Sequence, residues 1–424
     1  MSGNFLALAQ PGVQQLSPYV PGKPVDELAR ELNLDPAKIV KLASNENPLG
    51  PSPKVLAAIR EELAELTRYP DGNGFALKSL LAQKCRVELN QVTLGNGSND
   101  ILELVGRAYL APGLNAVFSE HAFAVYPIVT QAVGADARVI PAKDWGHDLP
   151  AMLAAIDAQT RVVFIANPNN PTGTWFDAQA LNDFLQDVPE HVLVVLDEAY
   201  IEYAEGSDLP NGLDFLAAYP SLLVSRTFSK AYGLASLRVG YGLSTAVVAD
   251  VLNRVRQPFN VNSLALAAAC AAVKDAEYLE EGRRINASGM LQLQDGFRAL
   301  GLGWIPSKGN FICVDLGQVA APVFQGLLRG EANSFDTKES FMRLWVHEVR
   351  QRCSGQGARS LLGWKMLMQL LVGYPHRLTR FCSKGKLDGH FRHFRDACPM
   401  RTSCSIMSTN WRLIAMSLLV ARTA

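Results

Sequence analysis

Six short apolar runs recur between residues 91 and 225, at Gln91–Leu94, Ala116–Phe118, Ala137–Ile140, Arg161–Ala166, His191–Leu196 and Ser221–Ser225. Several are β-branched and do not alternate with polar residues. A strand with one wet face alternates, so a run that does not alternate must be buried on both faces. Helical patterns such as Ala76–Lys84 and Ile101–Tyr109 stand among them. Periodicity alone does not separate a short buried strand from a buried helix. The inference therefore rests on the alternation, which implies an α/β fold whose sheet is mostly parallel and flanked by helices.

The chain has 424 residues, 48% of them hydrophobic, enough for a large core and for two or more domains. Ser263–Leu300 reads as one long helix ended by Gly301 and Gly303. GNFICVDLG at 309–317 alternates like a half-buried strand, and Val323–Arg329 reads as the helix after it. Beyond Gly330 the strand–helix alternation stops. The formal net charge is zero, which gives no global pointer to nucleic acid, but residues 331–424 carry 15 Lys and Arg against 6 Asp and Glu. The expected division is an N-terminal arm with part of a small domain at 1–50, a large domain at 51–262, a partial α+β small domain at 263–329 and an atypical, poorly ordered tail at 330–424.

The seven cysteines form no C-x-x-C pair, which suggests a reducing compartment rather than a disulfide framework. The first residues lack a basic, then apolar, leader. The apolar stretches Leu361–Tyr374 and Trp411–Ala421 are too short to span a membrane. A cytoplasmic protein is expected, with no membrane and no nucleic-acid partner. Cys353, His376, Cys382, His390, His393, Cys398 and Cys404 fit no closed zinc spacing, so no metal is expected.

Four stretches carry chemistry. VLDEAYIEY ends an apolar run at Asp197 and places Tyr200 three residues on. In an open α/β sheet, ligands bind beyond the carboxyl ends of strands, although an aspartate there is commonly just a cap. NPNNPTG at 167–173 is a rigid turn after Arg161–Ala166, with Asn170 held out of helix by Pro171. GNGSND at 95–100 leads from a strand to a helix start, whose free N–H groups can cradle a phosphate, with Ser98 adding a hydroxyl. RTFSKAYGLASLR at 226–238 sets Thr227, Ser229 and Arg238 around Lys230. Arginine offers a fork to a phosphate, and a lysine in such company can be nucleophilic. Each signal has an ordinary structural reading. Together they describe a ligand with a phosphate, a ring nitrogen that needs an acid, a phenolic oxygen that needs donors and an aldehyde that needs an amine. Pyridoxal phosphate meets all four requirements, with Lys230 as the Schiff-base lysine.

NPNNPTG, DEAY and SKAYGLASLR, in this order, resemble fold-type I pyridoxal-phosphate aminotransferases. ASNENPLGPSP at 43–53, RYPDGNG at 68–74, HAFAVY at 121–126 and SKGNFICVD at 307–315 are similar to the histidinol-phosphate aminotransferase family. The resemblance covers about residues 20–329. It implies that Lys230 bonds the cofactor and later moves the proton between Cα and C4′. It implies that Asp197 pairs with the ring nitrogen and that Asn170 and Tyr200 hold the ring oxygen. Ser98, Asn99, Thr227, Ser229 and Arg238 would surround the phosphate, and Phe123 would stack on the ring. Tyr69 would cross a homodimer interface to the neighbour's cofactor phosphate, and Asn45 and Asn47 would lie on the segment over the substrate. The implied substrates are L-histidinol phosphate and 2-oxoglutarate, in histidine biosynthesis.

The sequence departs from the family after Arg329. The R-P…YG-x-P stretch and the LRxTIG-like strand, whose arginines the resemblance assigns to substrate carboxylate and phosphate, are absent. The expectation is that residues from about 330 arise from a frameshift, insertion or fusion, leaving the edge of Phe311–Val314 open. Losing one arginine partner of a buried carboxylate costs roughly 3–5 kcal/mol. That is about two to four orders of magnitude in rate. Arg343, Arg350 or Arg377 could substitute, although no motif supports any of them. Three alternatives stay open: an aromatic amino-acid aminotransferase, a phospho-amino-acid decarboxylase of the same fold, and an inactive cofactor-binding pseudoenzyme.

Overall fold

The computed structural model describes residues 44–317 except 205 and 207, residue 320, most of residues 5–39, and the backbone of two strands at 346–348 and 361–365. The expected helix Val323–Arg329 and the tail arginines, cysteines and histidines lie outside the described residues.

Seven strands form the main sheet: β1 (Val92–Gly95), β2 (Asn115–Ser119), β3 (Asp136–Ile140), β4 (Thr160–Ala166), β5 (Leu193–Asp197), β6 (Leu222–Thr227) and β7 (Gly240–Leu243). Their order is β1-β7-β6-β5-β4-β2-β3. The pairs β2–β3, β2–β4, β4–β5 and β5–β6 are parallel, while β7 runs antiparallel to both β1 and β6. β2, β4, β5 and β6 are almost wholly buried, as runs without alternation require. β3 differs from that expectation. It lies at the sheet's edge and is mostly exposed or half-buried.

Helices cover both faces. Ile101, Leu102 and Val105 of the helix Ser98–Tyr109 pack with Phe118, Phe164 and Val195 on one side. Leu77 and Leu81 of Phe75–Cys85 pack with Val163, Val194 and Val224 on the other. β7 went unread in the sequence because it is GYGL, too small and glycine-rich to register as an apolar run. The glycines are required. A Cβ on Gly240 would lie 2.4 Å from the Ser98 backbone nitrogen.

The expected single helix Ser263–Leu300 is two helices, Ser263–Val273 and Ala276–Ala299. The break falls at Asp275, whose carboxylate is held by Lys54 at 2.8 Å and by Ser52, so a tertiary contact sets it. β8 (Gly303–Ile305) and β9 (Phe311–Asp315) begin a second sheet. β9 is buried from Phe311 to Val314 rather than alternating. Ile312 and Val314 pack on Ile285, Leu293 and Phe297, while the Cys313 thiol donates to the Pro171 carbonyl at 2.8 Å. The edge expected to stay open is paired: β11 (Leu361–Lys365) runs antiparallel to β9, and β10 (Val346–Glu348) to β11. The β11 backbone supplies the N–H and C=O groups that this edge of β9 needs.

Candidate active site

The carboxyl ends of three adjacent parallel strands bring the sequence motifs side by side. β4 leads into Asn167–Gly173, β5 ends on Asp197, and β6 ends on Thr227 three residues before Lys230. Ala166 and Asp197 are register partners, as are Asp197 and Ser225. β1 delivers Gly95 and the helix start at Ser98 beside this row through its pairing with β7.

Asp197 is 4% exposed. Its Oδ2 accepts a hydrogen bond from the Tyr126 hydroxyl at 2.9 Å. Its Oδ1 is buried with no hydrogen-bond partner among the described residues. Burial pushes the carboxyl up to about 6, against the Tyr126 hydrogen bond, the Ala199 backbone N–H and the positive charge of Lys230, which all favour the anion. A buried carboxylate oxygen lacking a donor is costly unless a ligand supplies one. A protonated ring nitrogen is a donor of that kind, so the site fits the pyridine ring inferred from the sequence.

Tyr200 is 1% exposed, and its hydroxyl accepts from Asn45 Nδ2 at 2.7 Å and from Asn170 Nδ2 at 2.9 Å. A phenol has two acceptor sites and one proton. With both acceptor sites used, the proton is left to donate outward. Lys230 Nζ donates to the Ser44 carbonyl at 2.9 Å and lies 5.6 Å from the Tyr200 ring centroid. Asn47 Nδ2 donates to the Ala231 carbonyl at 2.7 Å, so the Ser44–Asn47 segment is tied across the lysine loop.

A second cluster forms where the Ser98–Tyr109 helix begins. Gly97 has φ +83° there, and a Cβ on it would lie 2.5 Å from Arg238 Nη2. Arg238 Nη1 donates to Ser229 Oγ at 3.3 Å and to the Ala235 carbonyl at 2.9 Å. The Ser229 backbone N–H donates to Thr227 Oγ1 at 3.1 Å. Ser98, Thr227 and Ser229 are buried. Helix N–H groups, a guanidinium and hydroxyls around a glycine are the donor set of a phosphate site.

The other expected residues are placed as follows. Asn99 is exposed at the same helix start. Phe123 is half-buried after β2, its ring edge-on to Tyr126 at 5.9 Å. Tyr69 is 83% exposed and stacks on Phe259 at 4.8 Å. It joins neither cluster within this chain.

Sequence reasoning gave no role to several residues the site uses. Tyr126 stands in the quoted HAFAVY, but its partner is 71 positions away. Asn310 Nδ2 donates to the Asn45 carbonyl at 3.2 Å, and Phe311 sits edge-on to Tyr200 at 5.1 Å. Glu198, next to Asp197 in the chain, is fully buried and takes two hydrogen bonds from Arg226, at 2.8 and 2.7 Å. Asn169 Nδ2 ties its loop to the His121 carbonyl and to Thr172 Oγ1, both at 2.8 Å.

Residues 37–346 match the family model for aminotransferase class I and II. Histidinol-phosphate aminotransferase 2 of Pseudomonas fluorescens (strain Pf0-1) is 89% identical over 329 residues, which are 78% of this chain and 89% of that protein. The protein of the same name from Pseudomonas aeruginosa is 78% identical over 326 residues, 77% of this chain and 88% of its own. The crystal structure of histidinol-phosphate aminotransferase from Sinorhizobium meliloti in complex with pyridoxal-5′-phosphate superposes with a TM-score of 0.73 at 28% identity. It covers 87% of this chain and 97% of that one.

Proposed function

The chain belongs to the class I and II aminotransferases and, within them, to the histidinol-phosphate aminotransferases, and from that premise we propose that it moves the amino group of L-histidinol phosphate to 2-oxoglutarate. The products are imidazole acetol phosphate and L-glutamate, the cofactor is pyridoxal 5′-phosphate, and the step belongs to histidine biosynthesis. The observation that carries this reading is the donor-less Oδ1 of buried Asp197, set beside Lys230 and Tyr200 at the sheet's carboxyl edge. When bound, the cofactor supplies an aldehyde for an amine and a protonated ring that accepts negative charge from Cα.

The chain's residues then have definite work. Asp197 accepts the ring N–H and holds it protonated, and burial keeps that attraction from being screened. Tyr200 donates its remaining proton to the ring oxygen, held in place by Asn45 and Asn170. Arg238, Ser229, Thr227, Ser98, Asn99 and the helix start at Gly97 would hold the phosphate. Phe123 would stack on one face of the ring. With the cofactor bound, the Lys230 amine would take the proton from Cα and return it at C4′. The Ser44 carbonyl holds that amine at 2.9 Å when it is not bonded to the cofactor. Asn45 and Asn47 anchor the covering segment and help exclude water.

Two further points belong to this reading. The exposed Tyr69–Phe259 stack supports a homodimer in which Tyr69 reaches the neighbour's phosphate. The free thiols of Cys85, Cys270 and Cys313 support a reducing, cytoplasmic setting, and among the described residues no helix is long and apolar enough to cross a membrane.

The test is turnover of the purified chain with its cofactor and 2-oxoglutarate. Glutamate should form with L-histidinol phosphate at least about tenfold faster than with phenylalanine, a margin a few contacts can supply. Faster glutamate formation with phenylalanine, or carbon dioxide release without glutamate, would overturn the assignment.

A further inference from the structure

Asn310 stands in the turn between β8 and β9, is 7% exposed, and takes part in none of the proposed steps. Hydrogen bonds fix that turn. The Lys308 backbone N–H donates to the Gly173 carbonyl at 3.1 Å. The Gly309 N–H donates to Ser307 Oγ at 3.1 Å, and the Gly309 carbonyl accepts from the buried Asn286 Nδ2 at 3.3 Å. The turn is therefore tied to the Asn167–Gly173 loop on one side and to the helix Ala276–Ala299 on the other.

From this fixed turn Asn310 reaches the Ser44–Asn47 segment. Its Nδ2 donates to the Asn45 carbonyl at 3.2 Å and to the Tyr203 hydroxyl oxygen at 3.4 Å. A carbonyl only accepts, so the amide must turn its nitrogen towards Asn45. That leaves Asn310 Oδ1 buried with no partner among the described residues. Such an oxygen costs free energy, whereas an apolar side chain of the same size would strand no polar atom. What the amide offers in return is its hold on Asn45.

Asn45 needs holding. Ser44 and Asn45 both lie in the left-handed region, at φ +76° and +47°. Local preference does not favour two such residues in succession, so tertiary contacts must keep them there. Asn310 holds the Asn45 backbone, and the Asn45 side chain donates to the Tyr200 hydroxyl at 2.7 Å. Phe311, the next residue along, meets the Tyr200 ring edge-on at 5.1 Å. Burial raises the pKa of the Tyr200 hydroxyl, and the hydrogen bonds from Asn45 and Asn170 act against that rise. A well-aimed Asn45 thus makes Tyr200 a better proton donor.

We propose that Asn310 is a positioning residue, which acts through Asn45 to aim the Tyr200 hydroxyl at the ring oxygen of the bound cofactor. This rests on the reading of Tyr200 as the donor to that oxygen. A donor there favours the oxygen's negative form, so the proton it shares with the Lys230 nitrogen leaves at lower pH. Losing Asn310 weakens the donor and moves that proton loss to higher pH.

The readout is the pH midpoint of the visible absorbance band of the cofactor-loaded protein without substrate. Asn310→Leu keeps the volume and removes the donor, while Asn310→Ser is too short to reach Asn45. Both should raise the midpoint by at least about 0.5 pH unit, roughly a threefold change in proton affinity. Tyr200→Phe should raise it at least as far. Adding Asn310→Leu to Tyr200→Phe should move it no further, because the two act through one hydroxyl. Leu293→Ala, which opens a cavity behind β9, should lower the urea midpoint and leave the pH midpoint alone. Every variant keeps Asp197, Tyr19 and Lys230, the other titratable groups near that phenol. An unchanged midpoint in both Asn310 variants, beside a shifted Tyr200→Phe, would overturn the proposal and leave the role of Tyr200 standing. Additive shifts in the double variant, or an equal shift in Leu293→Ala, would mean general loosening and would overturn it too. An unmoved Tyr200→Phe would instead remove the reading of Tyr200, and the proposal with it.

Discussion

At the scale of single residues, Asp197 is the most informative group. Its carboxyl is raised from 3.8 to about 6 because burial opposes its charge. A folded state that binds a proton more tightly than the unfolded chain is stabilised at low pH, and that share is lost as pH rises through the folded value. In the cofactor-free protein, wild type should therefore lose about 2 kcal/mol relative to Asp197→Asn between pH 4 and pH 7. Urea unfolding of both proteins across that range checks this; a difference independent of pH would contradict it. Tyr126 donates to the same carboxylate. Tyr126→Phe removes a hydrogen bond to a charged group, about 1.5–3 kcal/mol, and should weaken cofactor binding about tenfold or more, measured as its dissociation constant. Lys230→Ala removes the proton carrier and should lower turnover by at least about 10²–10⁴-fold while the fold persists, as circular dichroism would show. Lys230, Asp197, Asn170 and Tyr200 could be singled out as candidates because each stands in a short, unusual string. Tyr126 was not, since a tyrosine on an apolar helix reads as core until its partner is known.

At the scale of elements, the strands that read well are those buried on both faces. β4, β5 and β6 left an unbroken apolar record, and the site grows from their ends. β7 carries equal structural weight and left none, because its work is close approach: Gly240 meets the Ser98 backbone, and Gly242 meets Ile101. Gly240→Ala should displace the helix start and weaken cofactor phosphate binding by at least about tenfold. Such a loss corresponds to about 1.4 kcal/mol and is read by the same binding titration. The split at Asp275 was likewise invisible, since its cause is contact with Lys54 and Ser52, far away in sequence. Arg226 and Glu198 form a buried ion pair joining β6 to the turn after β5. Arg226→Met should cost roughly 3–5 kcal/mol by stranding the Glu198 charge, and adding Glu198→Gln should recover most of it. Equal midpoints for the single and double variants in urea would refute this explanation.

At the scale of the whole molecule, a seven-stranded sheet carries the residues proposed to bind the cofactor, while β9 of the second sheet brings Phe311 and Cys313 against Tyr200 and Pro171. The Ser44–Asn47 segment bridges the two through Tyr200, Ala231 and Asn310. Reading the sequence located the large sheet and its candidate ligand edge, because both depend on local burial and turn chemistry. It did not foresee the pairing of Leu361–Lys365 with β9, since that stretch stands amid sequence without strand–helix alternation. The proposed homodimer belongs to this scale too. Tyr69→Ala should weaken cofactor binding only in the dimer, which sedimentation at several protein concentrations can separate. The central claim is that Lys230, Asp197 and Tyr200 form a working transamination site. The most direct measurement is the visible absorbance of the purified protein with pyridoxal 5′-phosphate, before and after adding L-histidinol phosphate without 2-oxoglutarate. The account requires a band dependent on Lys230 that converts to the amine form of the cofactor, and that 2-oxoglutarate restores. A band that forms identically in Lys230→Ala, or one that histidinol phosphate leaves unchanged, would contradict it.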